Sequence, residues 1–265
     1  MSIFVLLAGA STGLMLGILG SGGSIVTMPA FIYLLGVAPK PAIAMSLGVV
    51  GLTAGISALQ HGWRGNVNFR IVLIFGLFGA AGTFAGARIG ILLPDTLQLV
   101  MFALIMYAAA YKMIRPGPVA AGAGGGAGSI AGDNDNAPPL RYVHIALHGI
   151  IVGILTGIVG VGGGFLIVPA LVLLSGLGMK EAIGTSLAII ALKSFAGFAG
   201  YAGSVPIDWP LMAVFSAVAI IAGFVGGLIS HRIPAAILKS SFAVFLLLVA
   251  SYMLYREIST VSAFN

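Results

Sequence analysis

No cysteine occurs in the 265 residues, so disulfides, thiolate metal sites and thiol nucleophiles are excluded. Charge is almost as scarce. Asp, Glu, Lys and Arg make up 7% of the chain, against about 25% in a soluble globular domain, too few to cover a water-facing surface. The acids Asp95, Asp133, Asp135, Glu181, Asp208 and Glu257 fall at turns, in a glycine-rich middle stretch or in the tail, and none sits within an apolar run. The period-two alternation of an outer-membrane barrel is missing. So are basic runs interleaved with aromatics, which excludes nucleic acid as a partner despite the net charge of +6. No nucleophile–base pair and no metal-ligand cluster appears, so the chain reads as a non-enzyme with no cofactor and no metal.

What remains is apolar. Hydrophobic residues make up 60% of the chain and the mean hydropathy is +1.16. Apolar runs of about 18 residues or more recur, the length of a membrane-spanning helix. The fold class is therefore an all-α polytopic membrane protein with about 8–10 hydrophobic segments, a multi-pass protein whose partner is the lipid bilayer. The opening "MSIFVLLAGAS" lacks a basic n-region and is read as a retained first helix.

The sequence overlays on itself at a shift of 140 without a gap. Gly13, Gly17, Gly20, Gly22 and Gly23 fall on Gly153, Gly157, Gly160, Gly162 and Gly163, Ser46-Leu47 on Ser186-Leu187, and Pro94 on Pro234. This predicts a first transmembrane repeat at 1–115, a second at 141–258, and a flexible Gly/Ala/Pro linker at 116–140. In the first repeat the apolar segments are about 2–20, 24–37, 41–60, 68–92 and 95–114. The second segment is too short to span about 30 Å of hydrocarbon and reads as a glycine-broken or re-entrant half-helix. An odd number of crossings per copy inverts the second copy. Arg64, Arg70, Lys112, Arg115, Arg141, Arg232 and Lys239 put the linker in the cytoplasm and both termini on the periplasmic side, with Lys40 and Arg256 opposed. Inverted-topology repeats point to a secondary transporter.

The glycine breaks "GSGGSIVTMP" and "GVGGGFLIVP" interrupt apolar runs at equivalent places. A half-helix starting there offers free N–H groups and the positive end of its dipole to an anion. Ser21, Gly22, Gly23 and Ser24 in one copy, and Gly162, Gly163 and Gly164 in the other, are candidate substrate-binding residues, joined by Ser46, Thr185 and Ser186 on the third segments. The rows Gly13/Gly17 and Gly153/Gly157 fit close helix packing instead. Lys193 stands mid-way along an apolar segment, seven residues after Ser186 and on the same face. An intramembrane lysine is a candidate functional residue, and with no acid in any span it points to an anionic substrate. His61, where a helix meets a basic turn, is a candidate proton carrier together with Lys193.

"GILTGIVGVGGGFLIVPAL" with "GTSLAI", and "GLMLGILGSGGSIVTMPAF" with "AMSLGV", resemble the TauE/SafE sulfite-exporter family of membrane permeases over both repeats. Ser24 stands where the second copy has its third glycine. The resemblance implies transport of a small sulfur-containing anion, such as sulfite or a C2 sulfonate like sulfoacetate, across the bacterial inner membrane, with export favoured. Proton coupling and alternating access complete the expectation. A channel-like anion pore and a non-transporting membrane assembly factor are the alternatives, and a homo-oligomer is left open.

Overall fold

The computed structural model describes residues 3–19, 24–114, 139–160, 167, 179–229 and 243–256. Among these residues every regular element is helical and there is no strand. In chain order the helices are α1 (Ile3–Leu19), α2 (Ser24–Pro29), which continues as a π-helical turn (Ala30–Leu34), α3 (Pro39–Trp63), α4 (Phe69–Leu92) and α5 (Asp95–Ile114). After the linker come α6 (Pro139–Val159), α7 (Met179–Tyr201), α8 (Trp209–Ile229) and α9 (Ala243–Arg256). Four of them, Pro39–Trp63, Phe69–Leu92, Glu181–Tyr201 and Trp209–Gly226, are long and apolar enough to cross a membrane. Exposed Leu73, Leu77, Phe78, Ile221 and Leu248 give the outer surface the character lipid requires.

The short second segment begins where the glycine pattern places it. From Ser24 through Leu34 it runs about 16 Å at 1.5 Å per residue, half a bilayer core. Pro29 removes one backbone donor inside it, and the widened π turn follows directly. The starting point of its counterpart, Gly164, lies outside the described residues.

Glycines set the principal helix seams. A Cβ on Gly13 would overlap the Ala219 carbonyl, and one on Gly9 would lie 3.3 Å from the Phe215 carbonyl. In the second copy a Cβ on Gly153 would overlap the Gly79 carbonyl, and one on Gly149 would lie 3.2 Å from the Phe75 carbonyl. Adding 140 to one partner and subtracting 140 from the other converts the first pair of contacts into the second. Helix α1 therefore packs on α8, and α6 on α4. Successive contacts ascend together along both chains, so α1 runs parallel to α8, and α6 parallel to α4.

Helices α3 and α7 meet in the opposite sense. Gly48 faces Phe198, Gly51 faces Phe195 and Gly55 faces Ala191, so α3 and α7 run antiparallel. Along α4 and α7 the order is again parallel, with Gly76 against Leu192, Gly79 against Lys193, and Gly200 against Ala87 and Phe84. Helices α1, α3 and α8 thus point one way, and α4, α6 and α7 the other. The packing role expected for Gly13, Gly153 and Gly157 is the one observed; the surroundings of Gly17 are outside the described residues.

This close backbone approach predicts a sharp contrast between two glycines. A Cβ on Gly157 would overlap the Thr83 carbonyl, which has no flexible side chain to move, whereas Gly62 has nothing within 4 Å. Gly157→Val is expected to cost about 3 kcal/mol or more by overpacking the α4–α6 seam. Gly62→Ala, in the last turn of α3, is expected to be neutral or slightly stabilising. Thermal unfolding in detergent checks both.

Candidate functional site

The last turn of α6 is where the polar groups of the interior gather. The helix ends at Val159, and Gly160 follows with φ +77, a conformation that glycine adopts without strain. A helix that stops leaves its final carbonyls without intrahelical partners, and in an apolar interior they need donors from elsewhere. Three other helices supply them. Tyr201, the last residue of α7, directs its hydroxyl at the Gly157 and Ile158 carbonyls at 3.3 and 3.2 Å. Gln98, in the first turn of α5, donates through Nε2 to the Ile158 carbonyl at 2.8 Å and to the Tyr201 hydroxyl at 3.1 Å. Ser46, on α3, shares its hydroxyl proton between the carbonyls of Ile43 (2.8 Å) and Gly160 (2.9 Å). All three side chains are buried.

Lys193 reaches the same turn from the other side. It is fully buried, at 0% exposure, and its alkyl chain lies where a Cβ on Gly79 would be 3.0 Å from Cδ. Its Nζ donates to Thr156 Oγ1 at 3.3 Å, while that hydroxyl gives its own proton to the Val152 carbonyl. Thr156 is therefore an acceptor toward Lys193. The negative end of the α6 dipole offsets part of the cost of burying a cation there. No described carboxylate is at hand. Asp95 pairs with Lys40 at 3.4 Å, Glu181 Oε1 accepts from Asn68 Nδ2 at 3.1 Å, and Asp208 caps α8 by accepting from the Leu211 amide at 3.0 Å. Asp133, Asp135 and Glu257 lie outside the described residues.

The other expected residues divide into three groups. Thr185 is buried and accepts from the Asn68 amide at 2.9 Å, joining the start of α7 to the α3–α4 turn. Ser186 is buried and donates to the Ile183 carbonyl at 2.8 Å, one turn back on its own helix. His61 is half-buried in the last turn of α3, and its Nδ1 has no partner. Ser24 opens α2, but its side chain is not among the described residues. Ser21, Gly22, Gly23, Gly162, Gly163 and Gly164 lie outside the described residues altogether. Among the described residues no group of three metal-ligating side chains exists.

Sequence reasoning missed Gln98, Tyr201 and Thr156. The available signal was Tyr201 itself, which falls on His61 at the shift of 140. A lone Gln in an apolar helix was a second one.

Residues 5–253 match the family described as Sulfite exporter TauE/SafE. A "Probable membrane transporter protein" of Xylella fastidiosa (strain 9a5c) is 32% identical over 254 residues, 94% of this chain and 94% of that protein. The chain belongs to the TauE/SafE family. It is a multi-pass membrane transporter by that membership and by its apolar helices. Among further relatives, a "Probable membrane transporter protein" of Haemophilus influenzae (strain ATCC 51907 / DSM 11121 / KW20 / Rd) is 27% identical, covering 96% of this chain and 98% of its own. The "Probable membrane transporter protein YdhB" of Bacillus subtilis (strain 168) is 26% identical, covering 88% and 91%. No solved structure matches the chain.

The cap at Gly160 can be tested alone. Ser46→Ala leaves the Gly160 carbonyl without its donor in a buried place, which is expected to cost about 1–3 kcal/mol. Ser46→Thr, which keeps the hydroxyl, is expected to cost less. The difference between their unfolding midpoints in detergent measures the bond.

Proposed function

We propose that this TauE/SafE transporter moves a small sulfur-containing anion, sulfite or a C2 sulfonate such as sulfoacetate, by alternating access between inverted halves. The observation that carries the anion is Lys193. A fully buried lysine whose described partner is one neutral hydroxyl, with each described carboxylate engaged elsewhere, is a cation that a substrate anion would balance. The charge acts in a medium that screens it weakly, so one anionic head group gains more there than in water.

Lys193 bonds the last turn of α6, and the chain leaves that turn directly into Gly160–Gly164. The proposed substrate contacts are therefore Lys193 and the glycine segment Gly162, Gly163 and Gly164, with Thr185 and Ser186 on the same helix as the lysine. In the first copy Ser21, Gly22, Gly23 and Ser24 take the equivalent place. Ser46 contributes by holding Gly160. Export is favoured physically because an inside-negative potential drives an anion outward, at about 2.3 kcal/mol per charge per 100 mV. His61, with an unpartnered ring nitrogen, is the proposed proton carrier.

Antiparallel α3 and α7 support inverted repeats at 1–115 and 141–258. Arg64, Arg70, Lys112, Arg141 and Lys180 stand on the end of the bundle where α5 leaves and α6 begins, against Lys40, Arg88 and Arg256 on the other. By the positive-inside rule this supports a cytoplasmic 116–140 linker with both termini in the periplasm of a bacterial inner membrane. Reporter fusions at Asn134 and after Asn265 are then expected on opposite sides of the membrane, and matching sides would end the inverted reading.

Purified protein should be stabilised against heat by one or more of sulfite, thiosulfate, sulfoacetate, taurine and sulfate. Lys193→Met, which keeps the length and removes the charge, is expected to weaken that anion's binding at least tenfold; Lys193→Arg is expected to rescue in part, because a planar guanidinium has different donor geometry. Thr156→Glu places a carboxylate beside Nζ, so it is expected to melt higher and to lose its response to the anion. Unchanged affinity in Lys193→Met would remove the lysine from the site.

A further inference from the structure

The two copies end their first helices in nearly the same words, Gly17-Ile18-Leu19-Gly20 and Gly157-Ile158-Val159-Gly160. The residues at the positions equivalent to the α6 donors differ. At α6 the donors are Tyr201, Gln98 and Ser46. Subtracting 140 from Tyr201, and adding 140 to Gln98 and Ser46, gives His61, Leu238 and Ser186 for the end of α1. Leucine has no donor. Ser186 repeats the bond to its own helix, Ser186 to Ile183 as Ser46 to Ile43. His61 is half-buried and leaves Nδ1 unpartnered, whereas Tyr201 is fully buried with its hydroxyl engaged.

Since α1 and α6 run in opposite directions, their ends lie toward opposite faces of the bundle. One face, carrying the turns at 93–94 and 202–208, is therefore held by donors from α3, α5 and α7. At the positions equivalent to Tyr201 and Gln98 by the shift of 140, the sequence has a histidine and a leucine, the latter outside the described residues. We propose that Gln98 and Tyr201 are positioning residues of the transport cycle: by holding the end of α6 they close the face with the 202–208 turn, and passage through that face requires their release. The proposal rests on the carrier reading above.

Two details of the packing fit a contact that forms and parts. Gly90 of α4 has given up its side chain there, since a Cβ would overlap the Tyr201 hydroxyl and lie 2.8 Å from Gln98 Nε2. The α4 backbone is thus shaped around the held state. Gln98 Oε1, by contrast, is buried without a partner, so the amide is half-satisfied while it holds the helix. A fully satisfied network would be more rigid. The Lys40–Asp95 pair joins α3 to α5 on this same face and is partly exposed, so it adds a tie that water can compete for.

The absence of cysteine makes the test direct, because a single introduced thiol is unique. Ile43 is fully buried and lies against Gly160, so Ile43→Cys reports on that face. In membrane vesicles of both orientations, a membrane-impermeant maleimide should label it slowly from the side of the 202–208 turn. Gln98→Leu with Tyr201→His gives α6 the residues found at the positions equivalent by the shift of 140, and is expected to raise the labelling rate from that side at least tenfold. Tyr201→Phe removes one hydroxyl; it is expected to raise the rate less, and serves if the double variant does not purify as a single folded species. Sulfoacetate flux into proteoliposomes should fall in each.

Unchanged labelling in a folded variant would overturn the proposal, even if flux is lost, since a structural role alone would then account for the loss. Absence of saturable sulfoacetate or sulfite flux in the unaltered protein would instead sink the carrier reading, and this proposal with it. Flux in the unaltered protein with unchanged labelling sinks the latch alone.

Discussion

A helix that stops inside an apolar interior leaves carbonyls that water cannot reach, and the rest of this structure is arranged around meeting that requirement. Each buried acceptor left alone costs about 1–3 kcal/mol, so a break without donors would unravel or shift. At Gly160 the donors come from helices far apart in sequence: Ser46, Gln98 and Tyr201. Their positions fix how α3, α5 and α7 stand around α6. The same turn receives Lys193 through Thr156, so the structural end of α6 and the proposed anion site are one place.

Glycine plays two separate parts in this economy. Along the seams it lets backbones approach until one helix's carbonyl occupies the space of another's missing Cβ, as at Gly13 with Ala219 and Gly153 with Gly79. In lipid, where apolar side chains gain nothing by leaving the tails, such contact is the main source of helix association. At the breaks it permits a turn, as the positive φ of Gly160 shows. The interlocking of the N-terminal and C-terminal helices follows from the first role, since α1 finds its tight seam on α8 and α6 on α4.

Much of this was legible in the residues. Low charge and high hydropathy decide the class, the shift of 140 relates the residues of the α1–α8 seam to those of the α6–α4 seam, and the short run after Ser24 marks a short helix. The burial of Lys193 follows from its place in an apolar segment. Ser46, Ser186 and Thr185 are candidate substrate groups by composition and spacing, and their hydrogen bonds run to Gly160 and Ile43, to Ile183 and from Asn68. A hydroxyl in a helix has a carbonyl one turn back as a ready acceptor, and a sequence does not say which choice it makes. Gln98 and Tyr201 stood out only as a lone Gln in an apolar helix and a tyrosine at the place of His61, and their roles were hidden for a related reason. Their partners are 60 and 43 to 44 residues away, and only the folded chain brings them to one turn.

A carrier and a pore can share every residue named above, and they differ in whether both faces open together. The proposed latch on α6 fits a machine that opens one face at a time. Trans-stimulation in proteoliposomes tests this most directly. Vesicles preloaded with unlabelled sulfoacetate or sulfite should take up labelled anion faster than empty ones, with saturation at rising concentration. Uptake that never saturates and ignores the anion on the far side would contradict alternating access and leave a pore.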